Sequence, residues 1–331
     1  MSTASLDVVG IGNAMVDVIA HVDDAFLREH GLAKGTMTLV DAAQAERLYA
    51  SMPPAAETSG GSAGNTIAGI ASLGGRAAYI GKVCDDQLGR VYRHDIRALG
   101  ETFDVASARK STTGRCMILV TSDAERTMLT YLGAGSDLGP ADVDEQLIAA
   151  AQVTFLEGYL WDPPNAKEAF LKAARLAHAV GRRVSLTLSD PFCVERHRAE
   201  FLDLVAGHVD VLFANEIEIM SLYQVDSFDD ALQKVRGHCE IAALTRSALG
   251  SVIATKDEVH VLDAEPVTRV VDTTGAGDLY AAGFLYGLTQ GMDPAKCGRI
   301  ASIAAAEIIS HFGARPEVSL AELVRAKLNA A

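Results

Sequence analysis

Lysine and arginine are scarce in this sequence. There are 29 of them against 43 aspartates and glutamates in 331 residues, a formal net charge of −14. An acidic excess of this size argues against nucleic acid or an anionic membrane as a partner. It does not exclude a phosphate ligand, because a helix N-terminus can bind phosphate locally in an acidic protein.

Cysteines and long apolar runs are also few. No apolar run approaches the ~18 uncharged residues that a membrane helix needs, and the first residues lack the basic and apolar regions of a signal peptide. The cysteines form no C-x-x-C pair, so we expect reduced, mostly buried thiols in a cytoplasmic protein. They are Cys84, Cys116, Cys193, Cys239 and Cys297.

Two common nucleotide-binding motifs are missing. The sequence has no G-x-x-x-x-G-K-[ST], which excludes a P-loop kinase. Gly10-x-Gly12 follows a strand, as in the dinucleotide fingerprint, but Met15 stands where the third glycine belongs. The residues after it are strand-like and not helical, so the fingerprint fails and a dehydrogenase is a distant alternative.

The apolar pattern predicts a chain that is mainly α/β. Strands are expected at 6–12, 13–22, 36–40, 153–156, 183–188, 209–213 and 242–245, and helices at 41–51, 62–73, 87–99, 165–180 and 196–204. From residue 152 onward strand and helix alternate, which predicts βαβ units with a parallel sheet. Residues 115–121 and 126–132 instead predict a β-hairpin around 122–125.

The most informative motif is Asp272-Thr273-Thr274-Gly275-Ala276-Gly277-Asp278, followed by an alanine-rich segment that is typical of a buried helix. The first turn of a helix has free N–H groups and the positive end of the dipole. Glycines let those groups approach an anion closely. An anion site with a carboxylate beside it suits phosphoryl transfer to a hydroxyl, although a capped helix after a tight turn would have a similar sequence.

A second glycine-rich motif lies far upstream, at Gly60-Gly61-Ser62-Ala63-Gly64-Asn65-Thr66. An apolar run to Gly75, the run Ala78 to Val83 and an acidic turn from Asp85 to Gly89 follow it. Together the two motifs resemble both signatures of the PfkB, or ribokinase-like, carbohydrate kinase family, and within it the sequence is most similar to adenosine kinases.

The resemblance covers nearly the whole chain and implies a fold. It implies a ribokinase-like α/β domain, with a central mostly parallel sheet flanked by helices, and a small β-sheet lid. The large domain is expected at 1–12, 42–102 and 133–331, and the lid at 13–41 and 103–132. A lid of this kind excludes water during phosphoryl transfer.

The resemblance also assigns roles to the last motif. Asp278 is the expected general base, and the N–H groups of Gly275, Ala276 and Gly277 are expected to hold the transferring phosphoryl group. Asp272 is expected either to help organise a monovalent cation such as K⁺, as in several relatives, or to cap the turn.

Further positions match the family's ATP and magnesium regions. Asn215 and Glu218 match the ends of its Asn-x-x-Glu motif, and oxygen ligands after a strand suit Mg²⁺; an N-cap with an acidic first turn is the alternative. Thr245 and Gly250 bound a segment that resembles the nucleotide-binding loop. His311 to Ala314, with Gly313, resembles the segment near the adenine of ATP.

The acceptor is expected at the end of the first strand. Asn13 and Asp17 lie four residues apart and so face the same side of a strand. In the resemblance Asp17 binds a pair of sugar hydroxyls, with Asn65 and Gly61 contacting the same sugar; a solvated strand face is the alternative. Arg126 is expected either to touch a phosphate or to cover the lid.

The substrate prediction is ATP-dependent, Mg²⁺-assisted phosphorylation of a ribonucleoside, most simply adenosine to AMP. The candidates to contact a nucleobase are apolar or aromatic residues near strand ends, although such residues are more often core. They are Met15, Leu132, Tyr159 and Trp161. The alternatives are a sugar kinase of the ribokinase or fructokinase type and a non-catalytic binding protein, and we expect either a monomer or a lid-mediated homodimer.

Overall fold

Two β-sheets with helices packed around them make up the computed structural model, which describes residues 4–100, 102–103, 107–123 and 125–329. The strands are β1 (Leu6–Ile11), β2 (Met15–His21), β3 (Met37–Leu39), β4 (Ala56–Gly60), β5 (Ala77–Ile80), β6 (Gly114–Val120), β7 (Arg126–Tyr131), β8 (Ala151–Glu157), β9 (Arg183–Thr187), β10 (Val211–Asn215), β11 (Ile241–Thr245), β12 (Ser251–Thr255) and β13 (Val259–Leu262).

The helices follow the same chain order. They are α1 (Asp24–Glu29), α2 (Ala42–Ser51), α3 (Ser62–Ser72), α4 (Gln87–Ala98), α5 (Glu145–Ala150), α6 (Pro164–Ala179), α7 (Pro191–His208), α8 (Glu216–Tyr223), α9 (Phe228–Val235), α10 (Ala276–Thr289), α11 (Pro294–Ile308) and α12 (Leu320–Asn329). Short 3₁₀ turns lie at Gly133–Asp137, Pro140–Asp142, Gly158–Trp161 and Ser247–Leu249.

The larger sheet has the order β13-β12-β11-β10-β9-β8-β1-β5. From β5 to β11 every neighbouring pair is parallel, and β12 and β13 add an antiparallel edge. Parallel strands all end at the same edge of a sheet, where ligands of such folds bind. The residues that follow β1, β8, β10 and β11 are therefore brought to one edge.

The core has one cluster on each face of the larger sheet. Val8 and Phe155 point into a cluster with α3, α10 and α11, whereas Val9 and Leu156 point into a cluster with α6 and α7. All four side chains are 0 to 1% exposed. Alternation of side chains along each strand buries both faces, so the strands are apolar almost throughout.

The small sheet has the order β3-β7-β6-β2-β4. Its β6–β7 hairpin is antiparallel, as the sequence predicts. One strand was missed: β4 pairs antiparallel with β2, although 56–60 lies within the range predicted for the large domain. Ala56-Glu57-Thr58-Ser59-Gly60 has no apolar alternation, so only its pairing with β2 defines it as a strand. The division into a large domain and a lid otherwise stays a prediction.

The predicted α/β fold is confirmed, and most predicted elements lie within two residues of the observed ones. The helix predicted at 196–204 is the middle of the longer α7, which is kinked at His197. The hairpin of β12 and β13 was not predicted. It is an edge hairpin of two short strands, and the second strand, β13, is alternately exposed.

Candidate active site

Asp278 lies in the first turn of α10, where α3 meets it. Its Oδ1 accepts a hydrogen bond from Ser62 Oγ at 2.6 Å and its Oδ2 accepts one from Asn65 Nδ2 at 2.9 Å. Burial raises the pKa of Asp278 above its ordinary value, against these two hydrogen bonds, which favour the charged form. The result is a fixed carboxylate with raised basicity at the start of a helix.

The loop before α10 is the predicted anion-binding loop, called the anion loop below. Gly275 has a φ of +80°, which turns the chain into the helix, and Gly277 has nothing within 4 Å of the place where a Cβ would stand. The first amides of a helix have no acceptor within it. The predicted residues Gly275, Ala276 and Gly277 thus lie at the start of the helix beside Asp278, where Ala276 N donates to Thr273 O at 3.2 Å. Their role in holding a phosphoryl group stays a prediction.

Asp17 lies on β2 of the small sheet and is 8% exposed. A Cβ on Gly60 of β4 would overlap its carboxylate, so the unpredicted strand leaves the space that Asp17 occupies. Burial raises the pKa of Asp17 to about 7; the positive charge of Arg315 opposes this and the charge of Asp278 adds to it. The Asp17 carboxylate of the small sheet and the Asp278 carboxylate of α10 therefore lie in one site.

Asn13 lies at the carboxyl end of β1 and bonds to a buried acid that the sequence analysis missed. Glu157 ends β8, is 1% exposed, and accepts hydrogen bonds from Asn13 Nδ2 at 2.8 Å and from Ala63 N at 2.8 Å. Burial raises the pKa of Glu157 to about 7, against these bonds. Gly61, with a φ of +86°, precedes α3 directly.

Arg315 is the second residue that the sequence analysis missed. Its guanidinium donates to Ser59 O at 3.1 Å, to Ser59 Oγ at 3.2 Å and to Gly64 O at 2.7 Å. Its charge lowers the pKa values of Asp17 and Asp278, so a cation stands near both acids. In the sequence, only its position directly after the predicted adenine segment, His311 to Ala314, could have indicated a role for Arg315.

Asp272 is bound on several sides. It accepts hydrogen bonds from Thr274 N at 2.8 Å and from Gly313 N at 2.9 Å, and it forms an ion pair with Arg126 of β7, which also donates to Thr274 Oγ1. Arg126 therefore reaches the anion loop from the small sheet and does not merely cover the lid. In this structure the guanidinium of Arg126 contacts the Asp272 carboxylate. The role of Asp272 at a K⁺ site stays a prediction.

Asn215 and Glu218 form a capping box at the start of α8. Glu218 N donates to Asn215 Oδ1 at 2.8 Å, and Asn215 N and Nδ2 donate to the Glu218 carboxylate at 2.9 and 2.7 Å. Glu218 is 5% exposed; burial raises its pKa to about 7, and the charge of Asp190 raises it further. A carboxylate repelled by another acid suits a cation, so its chemistry fits Mg²⁺.

Few acids gather around Glu218. Within the described ranges no group of three or more His, Cys, Asp or Glu is placed to hold a metal ion. A magnesium ion here would depend on waters and phosphates for most of its ligands, which is the usual arrangement for Mg²⁺. The assignment of Glu218 to a metal stays a prediction.

The predicted ATP-binding residues also lie at this edge. Thr245 is paired in register with Asn215 at the ends of β11 and β10. Gly250 has a φ of +80°, and a Cβ there would overlap Leu262 O. Gly313 has a φ of +95° with open space beside it. His311, the first residue of the predicted adenine segment, is largely buried, and its Nε2 lies 3.0 Å from Glu307 Oε1.

An apolar cavity of about 240 Å³ lies between the small sheet and the larger one. Its apolar and aromatic lining comes from β3, from the end of β7 and from the residues after β8 and β9, namely Met37, Leu39, Leu132, Tyr159 and Phe192; its polar lining is Asp162, Asp190 and Arg196. Burial raises the pKa of Tyr159 well above its usual range, and the charges of Asp190, Glu218, Asp278 and Glu157 add to it, so the cavity adjoins the acids of the site.

Two of the four residues considered for a nucleobase do not line this cavity. Trp161 packs on Phe170 and Phe201, and its Nε1 donates to Glu200. Met15 packs within the small sheet against Cys116 and its neighbours. Both are core residues, whereas Leu132 and Tyr159 line the cavity, and their contact with a nucleobase stays a prediction.

No helix in the described part of the chain has the length and apolar character that crossing a membrane requires.

Comparisons with known proteins agree with this geometry. The model of the pfkB family of carbohydrate kinases matches residues 37–320. The adenosine kinase structure from Sinorhizobium meliloti is 53% identical, with a TM-score of 0.92 and coverage of 99% of this chain and 100% of that one. A probable sugar kinase protein from Rhizobium etli CFN 42 is 51% identical, with a TM-score of 0.93 and coverage of 99% of both chains.

A 5-dehydro-2-deoxygluconokinase of Geobacillus thermodenitrificans is 30% identical over 263 residues, which are 76% of this chain and 78% of the relative. The names of these relatives differ in the acceptor and agree on the class of reaction. The resemblance seen in the sequence is thereby confirmed: the chain is a kinase that belongs to the pfkB family.

Proposed function

We propose that this kinase transfers the γ-phosphoryl group of ATP to the primary 5′-hydroxyl of a ribonucleoside, with adenosine as the preferred acceptor. The observation that carries the proposal is the cavity lined by Leu39, Leu132, Tyr159 and Phe192. A free sugar presents mainly hydroxyl groups, whereas a nucleobase has two flat apolar faces that suit aromatic and aliphatic contacts. The similarity to an adenosine kinase at 53% identity supports the same choice.

Two groups supply the chemistry of transfer. Asp278 accepts the proton of the attacking hydroxyl, and its raised pKa makes it a better base than an exposed aspartate. The amides at the start of α10 stabilise the negative charge of the transferring phosphoryl group. Ser62 and Asn65 hold the carboxylate in one orientation, so the base needs no rearrangement before proton transfer.

The acceptor is oriented by oxygen atoms. Asp17 offers a carboxylate to two vicinal hydroxyls, and Asn13 and Asn65 offer side-chain carbonyl oxygens. The positive charge of Arg315 favours the charged carboxylate of Asp17, because it lowers the pKa of Asp17 and so offsets part of the larger effect of burial. Hydroxyl groups of a ribose are thus met by acceptors, while the base occupies the apolar cavity.

Family membership implies the use of ATP and usually of Mg²⁺. We propose that Asn215, Thr245, Gly250 and Gly313 contact the nucleotide and that Glu218 anchors the magnesium ion through its waters. The metal would neutralise phosphate charge, and Arg126 would add a further positive charge from the small sheet.

The second candidate is a sugar kinase. The names of the Rhizobium etli and Geobacillus relatives favour it, and acceptor oxygens around Asp17 would also serve a free sugar. A non-catalytic binding protein is less well supported, because Asp278 and the complete anion loop are retained.

The test is Mg-ATP-dependent release of ADP with adenosine, other ribonucleosides, ribose, fructose, 5-dehydro-2-deoxygluconate or no acceptor. We expect turnover with adenosine at the lowest KM, and a loss of about 10²–10⁴ in kcat in Asp278→Asn. Asp7→Asn is the matched control, since Asp7 is a buried aspartate at the opposite end of β1, paired with Arg76. Turnover with a sugar alone would establish the second candidate, and equal rates in wild type and Asp278→Asn would remove Asp278 from the mechanism.

A further inference from the structure

Glu157 is a buried acid at the centre of the site, and it forms no ion pair with a cation of the described residues. It is 1% exposed, and the hydrogen bonds it accepts from described residues come from uncharged N–H groups: Asn13 N, Asn13 Nδ2 and Ala63 N. A Cβ on Gly12 would overlap its Oε2, so the chain leaves space for this carboxylate. Burial of a carboxylate costs folding free energy, so we ask which groups its hydrogen bonds position.

The first consequence concerns the side chain of Asn13. Glu157 Oε1 accepts from Asn13 Nδ2 at 2.8 Å, and a carboxylate can accept only the NH₂ end of an amide. The carbonyl oxygen Oδ1 is thereby turned the other way. It is buried, it has no hydrogen-bond partner among residues that the structure describes, and a Cβ on Gly135 would lie 2.6 Å from it. Such an acceptor needs a donor from outside the protein.

The second consequence concerns the start of α3. Gly61, which precedes this helix, has no side chain to cap it, and Glu157 Oε2 accepts from Ala63 N in its first turn at 2.8 Å. The neighbouring Ser62 and Asn65 donate to Asp278. Asn65 Oδ1 is left as a second buried acceptor without a partner in the described chain. One carboxylate thus fixes both the helix that orients the base and the amide that faces the acceptor.

We propose that Glu157 is a positioning residue, which acts as a hydrogen-bond acceptor to turn the Asn13 carbonyl oxygen toward a substrate hydroxyl and to hold α3 so that Ser62 and Asn65 orient Asp278. The proposal rests on the proposed phosphoryl transfer to a hydroxyl. It requires a substrate that donates hydrogen bonds at this point, which a polyol or a ribose does.

The decisive variants are Glu157→Gln and the double variant Asn13→Asp with Glu157→Gln. In the single variant the carboxamide has one oxygen, so its NH₂ end must oppose either Ala63 N–H or the Asn13 amide. We expect kcat/KM to fall about 10–100-fold, because a buried donor is left unmatched. In the double variant the new carboxamide donates to the new carboxylate and accepts from Ala63 N, and the second oxygen at position 13 still faces the acceptor. The backbone N–H of residue 13 loses its bond of 3.3 Å to position 157, so the recovery is partial. We expect at least a tenfold recovery.

The control is Glu265→Gln, which neutralises a buried acid that pairs with Arg299 and Lys327. It should lower thermal stability and leave kcat/KM within about twofold of wild type. The acceptor in all assays is the one that wild type phosphorylates fastest in the panel above. If the nucleoside proposal is wrong, the acceptor panel shows it with the wild-type enzyme. If the proposal for Glu157 is wrong, only the ratios of kcat/KM between variants and wild type show it.

The proposal is overturned by wild-type kcat/KM in Glu157→Gln, or by a folded double variant that recovers nothing. If the single variant does not fold, the double variant carries the test alone: a folded, active double variant supports the proposal. A double variant that does not fold counts against it, since the reversed hydrogen bond should replace the original one.

Discussion

At the scale of single residues, the site contains acids that burial alone would leave uncharged near neutral pH. Asp17, Glu157 and Glu218 each have a pKa raised to about 7, chiefly by burial. In each case N–H donors or a nearby cation oppose that rise. Removal of one of these donors or cations should therefore change the charge of the site near neutral pH. Such a change can be measured as a shift in a pH profile.

The Asp17→Asn variant should lose activity and gain stability at alkaline pH. Because the folded-state pKa lies above the ordinary value of 3.8, protonation favours the folded state, and the stability that Asp17 contributes is lost as pH rises through about 7. We expect the variant to raise Tm relative to wild type at pH 8 and to have a smaller effect at pH 5. Its kcat/KM should fall about 10²-fold, because an amide accepts at only one atom.

The measurement is thermal unfolding at both pH values, beside kcat/KM for the preferred acceptor. Asp7→Asn is again the control. Its carboxylate bonds to Arg76 and Gln152, so the neutral variant should lose stability at both pH values and keep its activity. A drop in Tm at pH 8 in Asp17→Asn would contradict the idea that burial dominates at Asp17.

The sequence indicated those parts of the site whose residues lie within a motif. Asp278, Asn65 and Asp17 could be recognised because glycine-rich loops and a strand end mark them. Glu157 and Arg315 could not, because their partners lie far away in sequence: Glu157 is 94 positions from Ala63, and Arg315 is 256 from Ser59. A buried charge has no local pattern, and only the fold shows what it meets.

At the scale of elements, the helix α10 is held between two others at very short range. A Cβ on Gly69 of α3 would lie 2.6 Å from the Cβ of Ala282, and a Cβ on Gly283 would lie 2.6 Å from the Cα of Ala301 in α11. Small residues on both sides let the three helices approach closely. This contact fixes the position of α10, and so of Asp278, against α3.

The Gly283→Ala variant should be destabilised by about 1–3 kcal/mol, because its methyl group would meet the backbone of α11, which cannot move without shifting a buried helix. Gly207→Ala in α7 is the matched control. Nothing lies within 4 Å of its Cβ position and it is exposed, so helix propensity should stabilise it by up to about 1 kcal/mol. Chemical denaturation of both variants measures the two effects, and a neutral result at Gly283 would contradict the close packing.

The elements predicted from the sequence are those with strong periodicity. The strands β1, β8 and β9, the hairpin β6–β7 and the helix α6 were all recognisable from apolar pattern and turn residues. The strand β4 and the hairpin β12–β13 were not, because the first is polar and the second lies at an edge. Their strand geometry depends on a neighbour rather than on their own side chains.

At the scale of the whole molecule, two arginines connect the small sheet to the rest of the protein at the site. Arg315 comes from the C-terminal segment and bonds to Ser59 of β4. Arg126 comes from β7 and pairs with Asp272 of the anion loop. The small sheet is therefore attached on two sides of the acceptor site, and both connections carry positive charge toward the place where phosphate would stand.

The Arg126→Gln variant should loosen the small sheet over the anion loop. The Asp272 carboxylate is fully buried and would lose its ion pair, which typically costs more than an exposed pair does. Amide hydrogen exchange should accelerate together in 126–131 and in 273–277, and kcat/KM for ATP should fall about 10–100-fold with the loss of one phosphate-directed charge.

Lys34→Gln is the matched control. Lys34 forms more exposed ion pairs with Asp24 of α1 and with Asp123 at the turn of the same hairpin. Exposed pairs contribute about 0–1 kcal/mol, so this variant should leave exchange in 273–277 unchanged. Equal exchange at the anion loop in both variants would mean that the small sheet is held by its packing and Arg315, and that Arg126 serves only to bind phosphate.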